Sequence, residues 1–126
     1  MGRAAHAVVD RKFDTGPAHV FLAAHMIEND IRTLLDAPAI GADAPSIDTL
    51  EHTLTAGYAH AMALEAEQTR LQRRIADVAM CLADDEISSE VKRLGARLRA
   101  ADAELMQLRA LLASLRARAA DARAAA

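Results

Sequence analysis

The amino-acid sequence predicts an all-α protein in which a short helix packs on a long antiparallel two-helix coiled-coil hairpin, forming a three-helix bundle at the base. One observation is compositional: 52 % of the 126 residues are hydrophobic, yet only Phe13, Phe21 and Tyr58 are aromatic. Ala and Leu, which supply most of the apolar residues, are strong helix formers, whereas sheets favour β-branched and aromatic residues. The other observation is a pair of sustained heptad patterns separated by a short break. We therefore expect residues 1–126 to form a single helical domain.

The first predicted helix spans residues 17–36 and follows a loose N-terminal arm at 1–14, where no hydrophobic period is sustained. Pro17 suits the first helical position because its missing N–H is not needed there. The apolar residues of this segment then recur at steps of three and four; they are Val20, Ala24, Ile27, Ile31 and Leu34, with Phe21 and Leu35 beside them. A linker at 37–45, which contains two prolines and Gly41, ends the helix.

The second predicted helix spans 47–83, with Ser46 as its N-cap, and the third spans 88–123, capped by Ser88 or Ser89. The acidic residues 84–86 break the pattern between them. In helix 2 the a and d positions are Ile47, Leu50, Leu54, Gly57, Ala61, Leu64, Gln68, Leu71, Ile75, Val78 and Leu82. In helix 3 they are Val91, Leu94, Leu98, Ala101, Leu105, Leu108, Leu112, Leu115, Ala119 and Ala122.

The short break predicts an antiparallel hairpin rather than one continuous rod. We prefer a register in which facing residue numbers sum to about 169, because Gly57 then meets Leu112 and small residues face large ones. Helix 1 is long enough to cover only half of this hairpin. We expect it to cover the base, where additional apolar residues broaden the stripe beside the seam; these are Tyr58, Met62, Met106 and Leu111. The projecting two-helix tip favours self-association, and a homodimer is our first expectation.

Several classes of protein and site are excluded or disfavoured by composition and charge. The single cysteine, Cys81, excludes an intramolecular disulfide and a cysteine-based zinc cluster. No apolar run is long enough for a membrane span, and residues 1–10 do not resemble a secretory leader, so we expect a cytoplasmic protein with no membrane association. Residues 1–87 carry a net charge of −7 and residues 88–126 carry +4, which predicts pairing between helices or subunits. With a pI near 5.9, nucleic-acid binding is not favoured.

Histidines suggest an alternative function as a helical-bundle metal-binding protein that uses His25, His52 and His60. Bundle di-iron sites take glutamates and Glu-x-x-His pairs from facing helices, because i, i+3 spacing puts both ligands on one face. Helix 1 has the reverse order, with Glu28 three residues after His25. His52 falls at the outward f position of its heptad and His60 at g. On balance we expect no resident metal and no cofactor.

The segment around His52 allows a second version of this alternative. Residues 51–57, Glu-His-Thr-Leu-Thr-Ala-Gly, are similar to the motif of histidine phosphotransfer domains, in which an exposed histidine on a helical bundle is followed by leucine two residues later. The resemblance covers about six residues and implies that His52 accepts a phosphoryl group. Thr55 stands where that family has a lysine.

The sequence offers no arrangement typical of an enzyme. Its five glycines are scattered singly, so there is no phosphate-binding loop, and Cys81 has no histidine near it in sequence. We therefore expect a non-enzymatic helical adaptor or scaffold that acts through coiled-coil surfaces. A protein partner would bind through helix 3 or the hairpin tip. The predicted partner-binding residues form an outer f-position row on helix 3, namely Ala96, Ala103, Ala110 and Ala117.

Overall fold

The computed structural model describes residues 21–81 and 85–126. These residues form three helices and no strand: α1 (21–36), α2 (Ile47–Ala79) and α3 (Asp85–Ala125). The long helices α2 and α3 pair as an antiparallel hairpin and α1 packs on its base, which confirms the predicted all-α architecture. The predicted arm at 1–14, and residues 17–20 of the predicted first helix, lie outside the described residues.

The core follows the predicted a and d positions and has two parts. In the base, buried Ala24, Ile27 and Ile31 of α1 pack against the α2 and α3 seam. The seam residues of this cluster are Leu50, Leu54, Ala61, Leu64, Leu105, Leu108, Leu112, Leu115 and Ala119. Toward the tip, α2 and α3 form a smaller cluster that consists of Leu71, Leu94 and Ala101. Phe21, the first described residue of α1, packs against both clusters.

The register of the hairpin is visible at Gly57. A Cβ atom placed on this glycine would overlap the buried side chain of Leu112 and would lie 3.6 Å from Ile31 Cδ1. Glycine therefore lets α2 approach both α3 and α1 at one layer, with the large Leu112 filling the space opposite. This contact confirms the predicted facing of Gly57 and Leu112.

The side of the hairpin that α1 covers differs from the prediction. Leu111, at heptad position g of α3, is half-buried against the base core. Tyr58, Met62 and Met106, at positions e and b, remain exposed. Positions g and e flank a heptad seam on opposite sides, so one helix packed on the g side cannot cover residues on the e side. The expectation that α1 covers all of these residues is wrong for Tyr58, Met62 and Met106.

The C-terminal end of α1 is attached to α3 by one arginine. The Arg118 guanidinium donates hydrogen bonds to the backbone carbonyl oxygens of Leu35, at 3.1 Å, and of Ala37. Carbonyl groups at a helix C-terminus lack partners within the helix and carry partial negative charge. Arg118 therefore both caps α1 and holds it on the g side of the hairpin.

The helix ends differ in places from their predicted positions. Ser46 caps α2 as predicted, with its hydroxyl accepting from the Thr49 N–H at 3.1 Å, and Gly41 takes a left-handed φ of 105° in the linker. α2 ends at Ala79 rather than 83, and α3 begins at Asp85 rather than 88 and ends at Ala125 rather than 123. Acidic residues are favourable at the positive start of a helix dipole, so the acidic residues from Asp85 onward begin α3 instead of preceding it.

Charged side chains link α2 to α3 along the hairpin. In the base, Glu65 pairs with Arg109 at 2.6 Å, and Glu51 pairs with Arg123 at 2.5 Å. A third pair, Glu67 with Arg97, lies toward the tip. Acidic residues of the first part of the chain thus meet basic residues of the last part, which confirms charge pairing within the chain. Exposed pairs of this kind contribute only about 0–1 kcal/mol each, so they define the register more than they stabilise the fold.

Two glycine substitutions test the packing of the Gly57 layer. We expect Gly57→Ala to lower the free energy of unfolding by about 1 kcal/mol, because the overlap with buried Leu112 outweighs the gain in helix propensity. Gly95→Ala is the matched control, since its Cβ would meet only Arg99 Nη1 at an ordinary 3.6 Å. It should raise the free energy of unfolding by about 0.5–1 kcal/mol. Urea unfolding measures both; equal stabilisation by the two substitutions would contradict the close approach.

Candidate functional site

A group of three titratable side chains lies where α1 meets α3. His25 and Glu28 are one turn apart on α1, so they share a face, and Glu104 comes from the g position of α3. The nearest nitrogen or oxygen atoms of the three side chains lie within 4.8 Å of one another. Glu28 is only 1 % exposed, whereas the His25 side chain is 64 % exposed and Glu104 is half-buried. The group is therefore buried at one end and open to solvent at the other.

Both carboxylates of this group lack a hydrogen-bond donor for one buried oxygen, Oε1 of Glu28 and Oε2 of Glu104. The pKa of Glu28 is raised from 4.5 to about 7, chiefly by burial and additionally by hydrogen bonding and charge repulsion from the adjacent Glu104 carboxyl group. Arg32 acts in the opposite direction but more weakly. His25 Nδ1 is 3.9 Å from Glu28 Oε2, which is too long for a hydrogen bond. Two carboxylates in this position need a shared proton or a cation between them.

Only one of the three predicted histidines belongs to this group. His25 and Glu28 come together as their spacing indicates, but His52 is exposed elsewhere on α2 and His60 is half-buried, and neither joins a metal-like group among the described residues. The exposed position predicted for His52 is confirmed.

Sequence reasoning missed Glu104, although the heptad contains a signal for it. Glu28 is one heptad from both Phe21 and Leu35, so these three residues occupy the same heptad position beside the apolar stripe of α1. Glu104 is one heptad before Leu111, and both occupy g positions beside the seam of α3. A carboxylate in a seam-flanking row on each of two helices is a signal that the two groups can meet.

Glu67 is a second buried carboxylate, and its hydrogen-bond partners differ from those of Glu28. It is 2 % exposed at a g position of α2, and both of its oxygens have cationic partners. Oε2 accepts from Arg70 at 2.5 Å, and Oε1 from Arg97 of α3 at 3.3 Å. Charge-assisted hydrogen bonds of this kind offset the cost of removing a carboxylate from water. Glu28 has no comparable pair of donors, which distinguishes it from Glu67.

A second candidate surface lies on the side of the hairpin opposite α1. The predicted row of Ala96, Ala103, Ala110 and Ala117 is exposed on α3, and further apolar residues beside it are also exposed. Within residues 103–117, exposed apolar residues recur at alternating steps of three and four and form a stripe along α3: Ala103, Met106, Ala110, Ala113 and Ala117. We call this stripe the outer band. α3 therefore has one buried apolar seam and a second apolar stripe that no described residue covers.

The outer band adjoins a shallow groove between α2 and α3. Its volume is about 360 Å³, and its floor includes the seam residues Ala61 and Leu112. The other lining residues are Tyr58, Met62, Glu65, Arg109, Ala113 and Arg116. Met62 is 68 % and Met106 is 74 % exposed. Groove and band meet at Ala113, and three charged residues, Glu65, Arg109 and Arg116, line the groove beside its apolar residues.

Comparison of the chain with protein-family models, with curated proteins and with solved structures finds no match to any of them. Among the residues that the structure describes, no helix combines the length and apolar character that crossing a membrane requires.

Burial of Glu28 predicts a specific dependence of stability on pH. Because its pKa is raised from 4.5 to about 7 on folding, the folded chain retains a proton that the unfolded chain releases within this range. The free energy of unfolding should be greatest toward pH 4.5 and should fall by up to about 3 kcal/mol as the pH rises to 7 and above. Urea unfolding from pH 4.5 to 8 measures this change.

The variant Glu28→Gln keeps the shape of the side chain and removes its charge. We expect it to lack this component of the pH dependence and to be more stable than the unsubstituted chain at pH 8. Glu65→Gln is the control, since Glu65 is an exposed carboxylate of the same type. Parallel pH profiles for the unsubstituted chain and Glu28→Gln would show that Glu28 is not the responsible group.

Proposed function

We propose that this protein is a non-enzymatic helical interaction protein of the cytoplasm that works as a homodimer and acts as an adaptor or scaffold. The observation that carries this proposal is the outer band, an exposed apolar stripe that meets the groove at Ala113 and that no described residue covers. Exposed apolar patches rimmed by polar residues are typical of protein–protein interaction sites. Small residues on the band also allow another helix to approach closely.

The occupant we propose for this surface is a second copy of the chain, with the outer band packed against its own counterpart. A twofold dimer requires a self-complementary patch. Ala103 and Ala117 lie at equal distances on either side of Ala110, with Met106 and Ala113 between them. A twofold axis near Ala110 would therefore place Ala103 of one copy opposite Ala117 of the other.

Charge favours an antiparallel arrangement of the two copies. Residues 67–81 and 88–100, in the tip, carry seven basic and three acidic side chains, whereas residues 21–66 and 101–126, in the base, carry five and ten. Their net charges are +4 and −5; residues 84–86, which lie between the two tip segments in the sequence, carry three further negative charges. A parallel dimer would place like charges together along its length. An antiparallel dimer with its axis near Ala110 places the basic sections of the two copies at opposite ends and so removes the repulsion between them.

The substitution Ala110→Glu tests the proposed interface. A carboxylate at its centre would be desolvated without a partner, so the dissociation constant of the dimer should rise by about tenfold or more. Ala103→Glu should act in the same direction. Gln107→Glu is the control, because it adds the same charge to α3 at an exposed c position outside the band. Sedimentation equilibrium measures the association and circular dichroism the retention of helix. A chain that stays monomeric at every concentration would overturn the homodimer and leave a different protein as occupant.

The single cysteine tests the orientation of the two copies. Cys81 is exposed near the hairpin end and lies opposite residue 88 in the observed register. With the axis near Ala110, the two Cys81 residues of an antiparallel dimer should be about 65 Å apart at 1.5 Å rise per residue. In a parallel dimer they would be neighbours. Spin labels on Cys81 and a dipolar distance measurement separate these cases, and a short distance or ready disulfide formation would contradict the antiparallel arrangement.

A further inference from the structure

We propose that His25, Glu28 and Glu104 form a binding site for a divalent transition-metal ion of the zinc class at the junction of α1 and α3. This inference is independent of dimer formation, because all three ligands belong to one chain and lie away from the outer band. It also departs from the expectation, drawn from sequence alone, that the protein holds no metal.

Glu28 is the first reason for the proposal. Its side chain is 99 % buried, since only 1 % is exposed, and its Oε1 atom has no hydrogen-bond donor. Glu104 presents a second such oxygen from the facing helix. A buried carboxylate normally has donors, as Glu67 has in Arg70 and Arg97. A doubly charged cation between the two glutamates would satisfy both unpaired oxygens and neutralise their charges.

The types of ligand indicate the class of metal. One imidazole nitrogen with two carboxylate oxygens suits zinc and neighbouring divalent ions, whereas magnesium and calcium prefer oxygen ligands alone. Three protein ligands would leave a fourth position for water, and the exposed His25 gives the ion access from solvent. Ligand atoms around tetrahedral zinc are about 3.4 Å apart. The three ligand atoms now lie within 4.8 Å of one another, so zinc binding requires these side chains to move toward one another by about 1 Å or slightly more.

The experiment titrates the 126-residue Cys81→Ser chain with Zn²⁺ in a calorimeter, and repeats the titration with Co²⁺, whose absorption spectrum reports coordination. The Cys81→Ser background excludes binding to the free thiol. In this background, Glu28→Gln and Glu104→Gln remove one ligand each while preserving side-chain shape, and His25→Ala removes the third. His52→Ala is the matched control, because it removes an exposed imidazole from α2 outside the site. Thermal unfolding without metal shows that each variant is folded.

We expect one equivalent of Zn²⁺ to bind to the parent and to His52→Ala with similar affinity, and to raise their melting temperatures. Removal of one ligand should weaken zinc binding by about 100-fold, because loss of a residue that only hydrogen-bonds to a metal ligand already weakens binding by about 10–100-fold. Glu28→Gln should remain folded and lose the zinc-induced shift.

Three results would overturn the proposal. The first is no saturable binding to the parent chain, in which case the two glutamates share only a proton. The second is undiminished binding in Glu28→Gln and Glu104→Gln, which would place the ion elsewhere. The third is binding that is lost in His52→Ala but kept in His25→Ala.

Discussion

The three helices approach one another closely at the layer of Gly57, Leu112 and Ile31. No side chain on α2 can occupy this position without displacing Leu112, so α2 and α3 are held at one register and α1 is held at one height. Glu28, one turn before Ile31 on α1, is consequently carried against Glu104 of α3. Packing of neutral side chains thus determines which charged groups are brought together.

Buried carboxylates flank the seam at two heights, and their surroundings differ. Glu67 lies toward the tip, where one arginine of α2 and one of α3 reach its two oxygens. Glu28 lies in the base, where α1 closes over the junction and its nearest charged partner across the interface is another carboxylate. The third helix removes water from the position, and its Arg32 acts on Glu28 more weakly than Glu104 does. That difference explains why one buried glutamate has cationic partners for both oxygens and the other is a candidate ligand.

Coverage of the hairpin by α1 is one-sided, and this asymmetry separates the two candidate functional surfaces. Arg118 holds the end of α1 on the g side, so the carboxylate site forms there. The e and b side keeps Met62, Met106 and the outer band exposed. A metal on one side and a second subunit on the other would not compete for space.

Sequence alone determined the helical class, the hairpin, the Ser46 cap and the layer in which Gly57 faces Leu112, because heptad spacing and residue size act locally and at short range. It also indicated that His25 and Glu28 share a face. Only the tertiary structure decided on which side of the seam α1 lies, and therefore that Glu104 completes the group and the outer band stays open. A heptad specifies which residues point toward the seam, but the g and e flanks are close to equivalent until a third helix packs against one of them.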